Sequence, residues 1–536
     1  NFPWLFYFGL NSLTAARGSV FLHGTGMVPN YFYPATVALC LAAVIAAYFA
    51  SNPLHHGRWF VMRRFINWLP LGMTYAFLCM GRYNLNVAQG ALGPLMSNED
   101  FGIIFCAGTW TYALSFLVNG PLIDKKIGGK NGIMIAALGA SLANVALGIL
   151  TWLIVVKHLK VNLVVAFSTI YSINMYFQSY GAMSIIKVKA YWFHVRERGI
   201  FGAIFGTFIS AGAYFAFDWS ASIVAMTKAN APDNLLKRIF TAANFPVDAT
   251  WAVFFVPAII LIFWLVIDFW LIKDAPEKAG FPPLDTCDAS SGQMHVEFSV
   301  LDLLKKIFAS RLMLMIACIE LTSGIFRYSI WTWYKPFSKA VPQTGVEFFS
   351  DHWGWFICIF GIVGGFAGGI ISDKLFQSRR GPPAAMLCGI VLVLSILMAA
   401  FLFSAPLVVG WSSVLIVMAS IGITSLMSGT AATDFGGRKA TATAAGVVDG
   451  FAYLGSGLQS ICIGFLVPEI VGGAKQPVPF FGFSRDWQWW PVFVIPFAIV
   501  GLALAIKIWH ELPAATKKFI AEKEGKTVPK QGLTAP

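Results

Sequence analysis

Two arginines lie deep inside apolar stretches. Arg82 sits in Met80-Gly81-Arg82-Tyr83-Asn84-Leu85, and Arg327 in Ile325-Phe326-Arg327-Tyr328-Ser329-Ile330. A guanidinium at a bilayer centre costs roughly 3 kcal/mol on insertion scales, and arginine cannot shed its proton to escape that cost. Snorkelling to the interface explains residues this deep poorly, and each is followed by a tyrosine. The chemistry they offer is anion binding. A planar guanidinium matches phosphate or carboxylate through two parallel hydrogen bonds, as lysine does not. Two such forks in one cavity repel unless an anion sits between them. A doubly charged phosphate group fits best, and a dicarboxylate is second.

Other polar residues fall at helical spacing from these two. Tyr75 precedes Arg82 by seven residues, two turns, so both share a face. Glu320 stands in the same relation to Arg327. A carboxylate inside a span is functional by default. Glu320 could balance Arg327, carry a proton or bind a polar part of a substrate, or it could be a polar residue near the cytoplasmic end of its span. Asp449 and Tyr453 are i,i+4 on one face. Asp449 could meet substrate hydroxyls or a proton, or join helices. Tyr112 is expected to line the cavity, with an interface aromatic as the alternative. Gln178 is a polar liner or packing glue.

Catalysis and cofactors find no support. No nucleophile has a base beside it. The Gly-rich runs 361–369 and 446–457 lie inside spans and lack the GxxxxGK[ST] phosphate-loop pattern, so they read as close helix crossings. Of eight cysteines, seven sit in apolar segments and none forms a CxxC pair, which argues against a disulfide framework or a metal site. The eight histidines form no ligand cluster. We expect no metal, no cofactor and no enzyme.

These residues need helices in lipid to position them. The chain has 536 residues, 57% hydrophobic and only 12% charged, with mean hydropathy +0.70. Soluble domains carry about 25% charged residues. The composition is that of an all-α, multi-pass integral membrane protein. Its net charge of +13 is explained by basic cytoplasmic loops, so no nucleic-acid partner is implied. Twelve spans are expected near 66–90, 101–122, 131–156, 162–186, 199–218, 250–272, 312–335, 352–373, 383–403, 408–430, 440–467 and 489–509. Basic residues cluster in the even-to-odd turns and the tail, which places both ends of this core in the cytoplasm.

The expected organisation is an extension over 1–64 with an extra helix at about 31–50, and a six-helix bundle over 65–272. A cytoplasmic linker over 273–311 leads to a second bundle over 312–510 and a basic tail over 511–536. The linker's end, Phe298–Ala309, reads as an amphipathic surface helix. Residues 219–249 read as a long outer loop with a short helix. The chain opens on Asn1, so its true start, with any targeting signal, is expected to be missing.

An internal repeat ties the halves together. Arg82-Tyr83 recurs as Arg327-Tyr328 after 245 residues, and Gly120…Asp124-Lys125 recurs as Gly369…Asp373-Lys374 after 249. Both motifs keep their order and spacing. Two parallel six-helix repeats place a substrate site near the midplane between them.

The residues resemble the organophosphate:phosphate antiporters of the major facilitator superfamily over roughly 65–510. The resemblance rests on Arg82 with Asn84, Trp192-Phe193 leading to Glu197-Arg198-Gly199, and Asp274 through Pro283. It also rests on Phe326-Arg327-Tyr328, Asp373-Lys374 to Arg380-Gly381, and Thr443–Gly446 to Tyr453-Leu454-Gly455. It implies that Arg82 and Arg327 hold a phosphate, with Tyr75, Tyr112 and Tyr453 in the pocket, and that an organic phosphate exchanges for inorganic phosphate. The sequence departs from the glycerol-phosphate members. Tyr83 replaces a lysine, Phe116 another lysine and, read without gaps, Ile209 a histidine. The pocket is thereby less basic, and Glu320 and Asp449 add acid. The expectation is a monomeric, multi-pass transporter of a small anion, in the inner membrane if bacterial. A proton-coupled carrier of another organic anion and a non-transporting sugar-phosphate sensor are the alternatives.

Overall fold

The computed structural model describes residues 32–50, 52–194, 197–240 except 229, 249–286 except 285, 304–376 except 306, 307 and 344, 379–431, 437–468 and 484–511. The expected surface helix Phe298–Ala309 falls mostly outside these residues, and the basic tail falls wholly outside them apart from Glu511. An extra helix, α1 (Phe32–Ala50), precedes the core. The first half comprises α2 (Arg58–Leu92), α3 (Asn98–Leu122), α4 (Gly128–Lys157), α5 (Leu163–Trp192), α6 (Arg198–Tyr214) with its continuation α7 (Ser220–Met226), a short α8 (Leu235–Phe240), and α9 (Ala252–Leu271). The second half comprises α10 (Arg311–Ala340), a short α11 (Val346–Ser350), α12 (Trp353–Ile370), α13 (Gly381–Phe401), α14 (Pro406–Ala431), α15 (Gly437–Leu466) and α16 (Trp489–Lys507). All twelve expected spans are helices.

Some boundaries differ from expectation. The fifth span runs on through a π turn, Phe215–Trp219, into α7, so the first residues of the expected outer loop are helix. That turn is held by Asp218, whose carboxylate accepts from the backbone N–H groups of Gly354 (2.9 Å) and Trp355 (3.0 Å). An anion at the start of α12 is favoured by the helix dipole.

Eight helical stretches among the described residues are apolar and long enough to cross a membrane unaided, and α2, α5 and α15 are not among them. The reason is position. In α2, Asn67, Thr74, Arg82, Asn84 and Gln89 are all buried. Polar side chains facing protein lower a helix's hydropathy without exposing charge to lipid.

The repeat is visible in the packing. Between the halves, α3 packs on α15 and α6 on α12. Each contact pairs the second core helix of one half with the fifth of the other, as a twofold requires. The repeated Gly…Asp-Lys turn forms a π turn in both halves, Ile123–Ile127 after α3 and Ile371–Leu375 after α12. Close crossings occur where the Gly-rich runs suggested them. A Cβ on Gly324 would lie 2.0 Å from the Ala452 carbonyl oxygen, and one on Gly364 would lie 2.1 Å from that of Met418. Glycine is required at both.

Helix α1 lies against α6 and α12, one helix from each half. Its first turn reaches the second half, where Trp355 Nε1 donates to Thr36 Oγ1 at 2.7 Å and Tyr33 stacks on His352. Its last turn reaches the first half, where the Tyr48 hydroxyl donates to the Val61 carbonyl at 2.8 Å.

Candidate functional site

Arg82 is held from behind by a polar layer. Its Nε donates to Gln178 Oε1 at 2.9 Å. Gln178 donates in turn to Asn174 Oδ1 at 3.1 Å. Asn174 and Asn144 both donate to the Gly81 carbonyl, at 2.9 and 3.0 Å. Asn84 bonds Asn144 Oδ1 at 2.8 Å, and the Tyr171 hydroxyl donates to the Arg82 carbonyl at 3.0 Å. These amides are fully buried on α2, α4 and α5. They fix the backbone and the side chain of Arg82 together.

From the front Arg82 meets aromatic rings. Its guanidinium lies 4.4 Å from the Tyr112 ring centre, and 5.6 to 5.9 Å from those of Tyr83, Tyr453 and Tyr75. One terminal nitrogen donates to the Tyr453 hydroxyl at 2.7 Å. The other terminal nitrogen is buried without a hydrogen-bond partner among the described residues. Buried polar groups are seldom left so, and each such group asks for an explanation. A bound anion supplies one.

Arg327 is arranged differently. It lies near the middle of α10 and keeps partial exposure, although residues 322–326 and 328–330 are buried. Its guanidinium lies 4.8 Å from the Tyr328 ring centre. It makes no ion pair among the described residues, and its Nε is buried without a partner. Two acids share its electrostatic neighbourhood. Glu320 is fully buried and accepts from Thr424 at 3.3 Å through one oxygen, while the other has no partner. Asp449 is half-buried and feels the charges of both Arg327 and Glu320.

The two Arg-Tyr motifs meet through their tyrosines at the pseudo-twofold. Tyr83 and Tyr328, each one residue past its arginine, share a hydrogen bond at 2.8 Å between their hydroxyls. Tyr453 connects the sides. Its hydroxyl takes the bond from Arg82, and its ring lies 4.3 Å from that of Tyr112 and 5.6 Å from that of Tyr328. All seven expected site residues, Arg82, Arg327, Tyr75, Tyr112, Tyr453, Asp449 and Glu320, therefore fall in one region. Tyr112 is a buried partner of Arg82 rather than an interface aromatic. Phe116 packs its ring 4.5 Å from that of Tyr112. Ile209 is 40% exposed, so the ungapped alignment puts no cavity residue there.

Sequence reasoning missed Asn144 and Asn174. Their signal was an amide inside an apolar span, with Asn174 four residues before Gln178 on one face. A second polar network lies near the start of α2. Arg64 is buried and binds both Glu197 oxygens, at 2.8 and 2.9 Å, and the Tyr48 hydroxyl at 3.0 Å. His56 Nε2 approaches Glu197 at 3.5 Å. Burial pushes the Glu197 carboxyl up, but the hydrogen bonds and charge of Arg64 outweigh it and hold it below the ordinary range. Burial pulls the His56 imidazole down against the opposing charge of Glu197. At the same face, Asp124 accepts from Lys187 (2.9 Å) and from the Thr443 backbone and hydroxyl (3.0 and 2.8 Å), which fastens α3 to α15.

A model of the Major Facilitator Superfamily matches residues 71–460. The chain belongs to that superfamily, and is thus a multi-pass membrane transporter rather than an enzyme. It is 24% identical over 388 residues to the glycerol-3-phosphate transporter of Bacillus subtilis, covering 69% of this chain and 78% of that one. It is 22% identical over 443 residues to the membrane sensor protein UhpC of Salmonella typhimurium, covering 76% and 88%. Among solved structures, an inward-facing bacterial homologue of the human lysosomal transporter Spinster superposes with a TM-score of 0.62 at 14% identity, covering 88% of this chain and all of that one.

Proposed function

We propose that the protein exchanges an organic phosphate for inorganic phosphate by alternating access. The observation that carries this reading is the pair of arginines at repeat-equivalent positions, each with a buried guanidinium nitrogen lacking a partner among the described residues. Arg82, Tyr75, Tyr112 and Tyr453 form the anion-holding wall. Arg327 approaches from the other half, with Glu320 and Asp449 in its electrostatic neighbourhood. The working division is a bundle over 65–272, a linker over 273–311 and a bundle over 312–510. A phosphate between the arginines removes their repulsion and draws the halves together, so switching requires a bound anion. The name of one curated relative, a glycerol-3-phosphate transporter, supports a phosphate ester as ligand.

The test is counterflow. Proteoliposomes loaded with inorganic phosphate should take up labelled phosphate, and sugar or glycerol phosphates should inhibit. Arg82→Lys and Arg327→Lys variants that exchange at the parental rate would falsify the mechanism. Binding without flux would point to a sensor. A second reading, proton-coupled transport of another organic anion, is favoured by Glu320, whose free oxygen has no buried partner. It predicts uptake that follows a pH gradient and ignores internal phosphate.

A further inference from the structure

At the face that bears the basic turns, the gap between α4 and α9 opens as a notch of about 300 Å³ lined by Lys130, Asn131, Met134, Phe269, Lys273, Asp274 and Lys278. It runs into a groove of about 750 Å³ that adds Lys126, Leu138 and Val266. The two share Asn131, Met134 and Phe269, so they form one depression with a charged end and an apolar end. Leu138, Val266 and Phe269 are 45 to 56% exposed on the outside of the bundle, where hydrocarbon meets the protein.

The charged end has more cation than the protein neutralises. Lys278 pairs with Asp274 at 2.9 Å, and the same carboxylate accepts from the Lys130 backbone N–H at 2.7 Å. The Lys130 ammonium donates to the Phe269 carbonyl and lies 5.1 Å from the Phe269 ring centre. Lys273 at this end, and Lys126 on the wall of the adjoining groove, have no side-chain hydrogen bond or ion pair among the described residues. Asp268, which also acts on Lys130, is buried and bonded to Thr74. Burial, with the charges of Lys273 and Lys278, pulls the Lys130 ammonium below its ordinary value. An added anion relieves that repulsion.

We propose that this depression binds one anionic phospholipid, its phosphate at Lys130 and Lys273, its headgroup flanked by Lys126 on the groove wall, and an acyl chain along Met134, Leu138 and Val266. A soluble phosphate would use the lysines alone and leave the continuous apolar groove unexplained. By the positive-inside rule this face is cytoplasmic, and basic pockets between spans on that side suit anionic headgroups. The site is separate from the arginine pair and does not depend on the transport reading.

The experiment is native mass spectrometry of the full-length, delipidated protein, titrated with phosphatidylglycerol or with phosphatidylcholine of the same acyl chains. Phosphatidylglycerol should bind about tenfold more tightly, as expected when two or more lysines face one headgroup. Lys126→Gln/Lys130→Gln/Lys273→Gln should abolish that preference. Lys126→Gln alone, at an exposed position that cannot disturb the fold, should remove part of it. Equal binding of the two lipids, or an unchanged preference in the triple variant, overturns the proposal. So does displacement of the lipid by millimolar inorganic phosphate, which would make this a soluble-anion site.

Discussion

Arg82 uses one nitrogen on Gln178 and one on Tyr453, and keeps the third free. That division gives two predictions. Arg82→Lys retains the charge but loses the fork. A hydrogen bond to a charged group is worth about 1.5–3 kcal/mol, so counterflow kcat/KM should fall roughly tenfold to a hundredfold. Gln178→Leu leaves Arg82 in place but removes its guide and leaves the Asn174 side-chain oxygen only the 3.5 Å bond from Asn144. It should cost about tenfold through a raised KM for phosphate, by loss of one such bond, with little change in kcat. If kcat falls instead while KM holds, Gln178 acts in switching and not in positioning Arg82. Read on sequence alone, Gln178 stood between liner and glue. The structure makes it the link between the arginine and a buried amide layer.

At the scale of elements, the glycines and the loop network carry testable weight. Gly324→Ala puts a methyl into the Ala452 backbone at the α10–α15 crossing, where a helix and not a rotamer must move. Overpacking of this kind costs about 1–3 kcal/mol, so the thermal midpoint in detergent should drop clearly. Gly389→Ala, with nothing within 4 Å of the added atom, should leave it nearly unchanged. Equal effects at the two sites would remove the close-crossing account.

The Arg64–Glu197–His56 network adds a pH dependence. Both Glu197 and His56 titrate below their ordinary values in the folded protein, so the unfolded chain takes up protons first. Their contribution is complete above the unfolded values, near 6.5 for histidine and 4.3 for glutamate. It declines as pH falls through each folded value. The midpoint should therefore decline from about pH 6.5 downward in the parent, whereas His56→Ala should hold its own midpoint until the carboxylate begins to protonate. A parallel decline in both proteins would exclude His56 as the source.

At the scale of the molecule, the seam is closed by polar contacts at the face opposite the basic turns. Asn98 donates to the Pro468 carbonyl at 2.7 Å, Arg485 pairs with Glu99 at 2.9 Å, and Lys339 reaches the Gly90 carbonyl at 3.4 Å. Glu99 is the more exposed partner of its pair, and such pairs contribute about 0–1 kcal/mol. Glu99→Gln should raise the population open to that face by up to about fivefold. Spin labels on the adjoining ends of α3 and α15 would show it as growth of a long-distance component. An unchanged distance distribution would mean that the other contacts hold the seam alone.

Much of this architecture was legible in the chain. Twelve apolar stretches, an extra helix at about 31–50 and the repeated Arg-Tyr and Gly…Asp-Lys motifs follow from hydropathy and spacing. Both are local properties, and lipid enforces them, because each span must satisfy its own backbone. The tertiary structure alone decided how the arginines differ. Nothing local to Arg82 says that Asn144 and Asn174, from two other helices, brace it. Nor does spacing show that Tyr83, placed where a lysine was expected, meets its own repeat image across the twofold, or that Arg64 is buried on Glu197. Those partners lie 60 to 245 residues apart. Only the packing of whole helices brings such groups within hydrogen-bond range, and no periodicity along one segment records it.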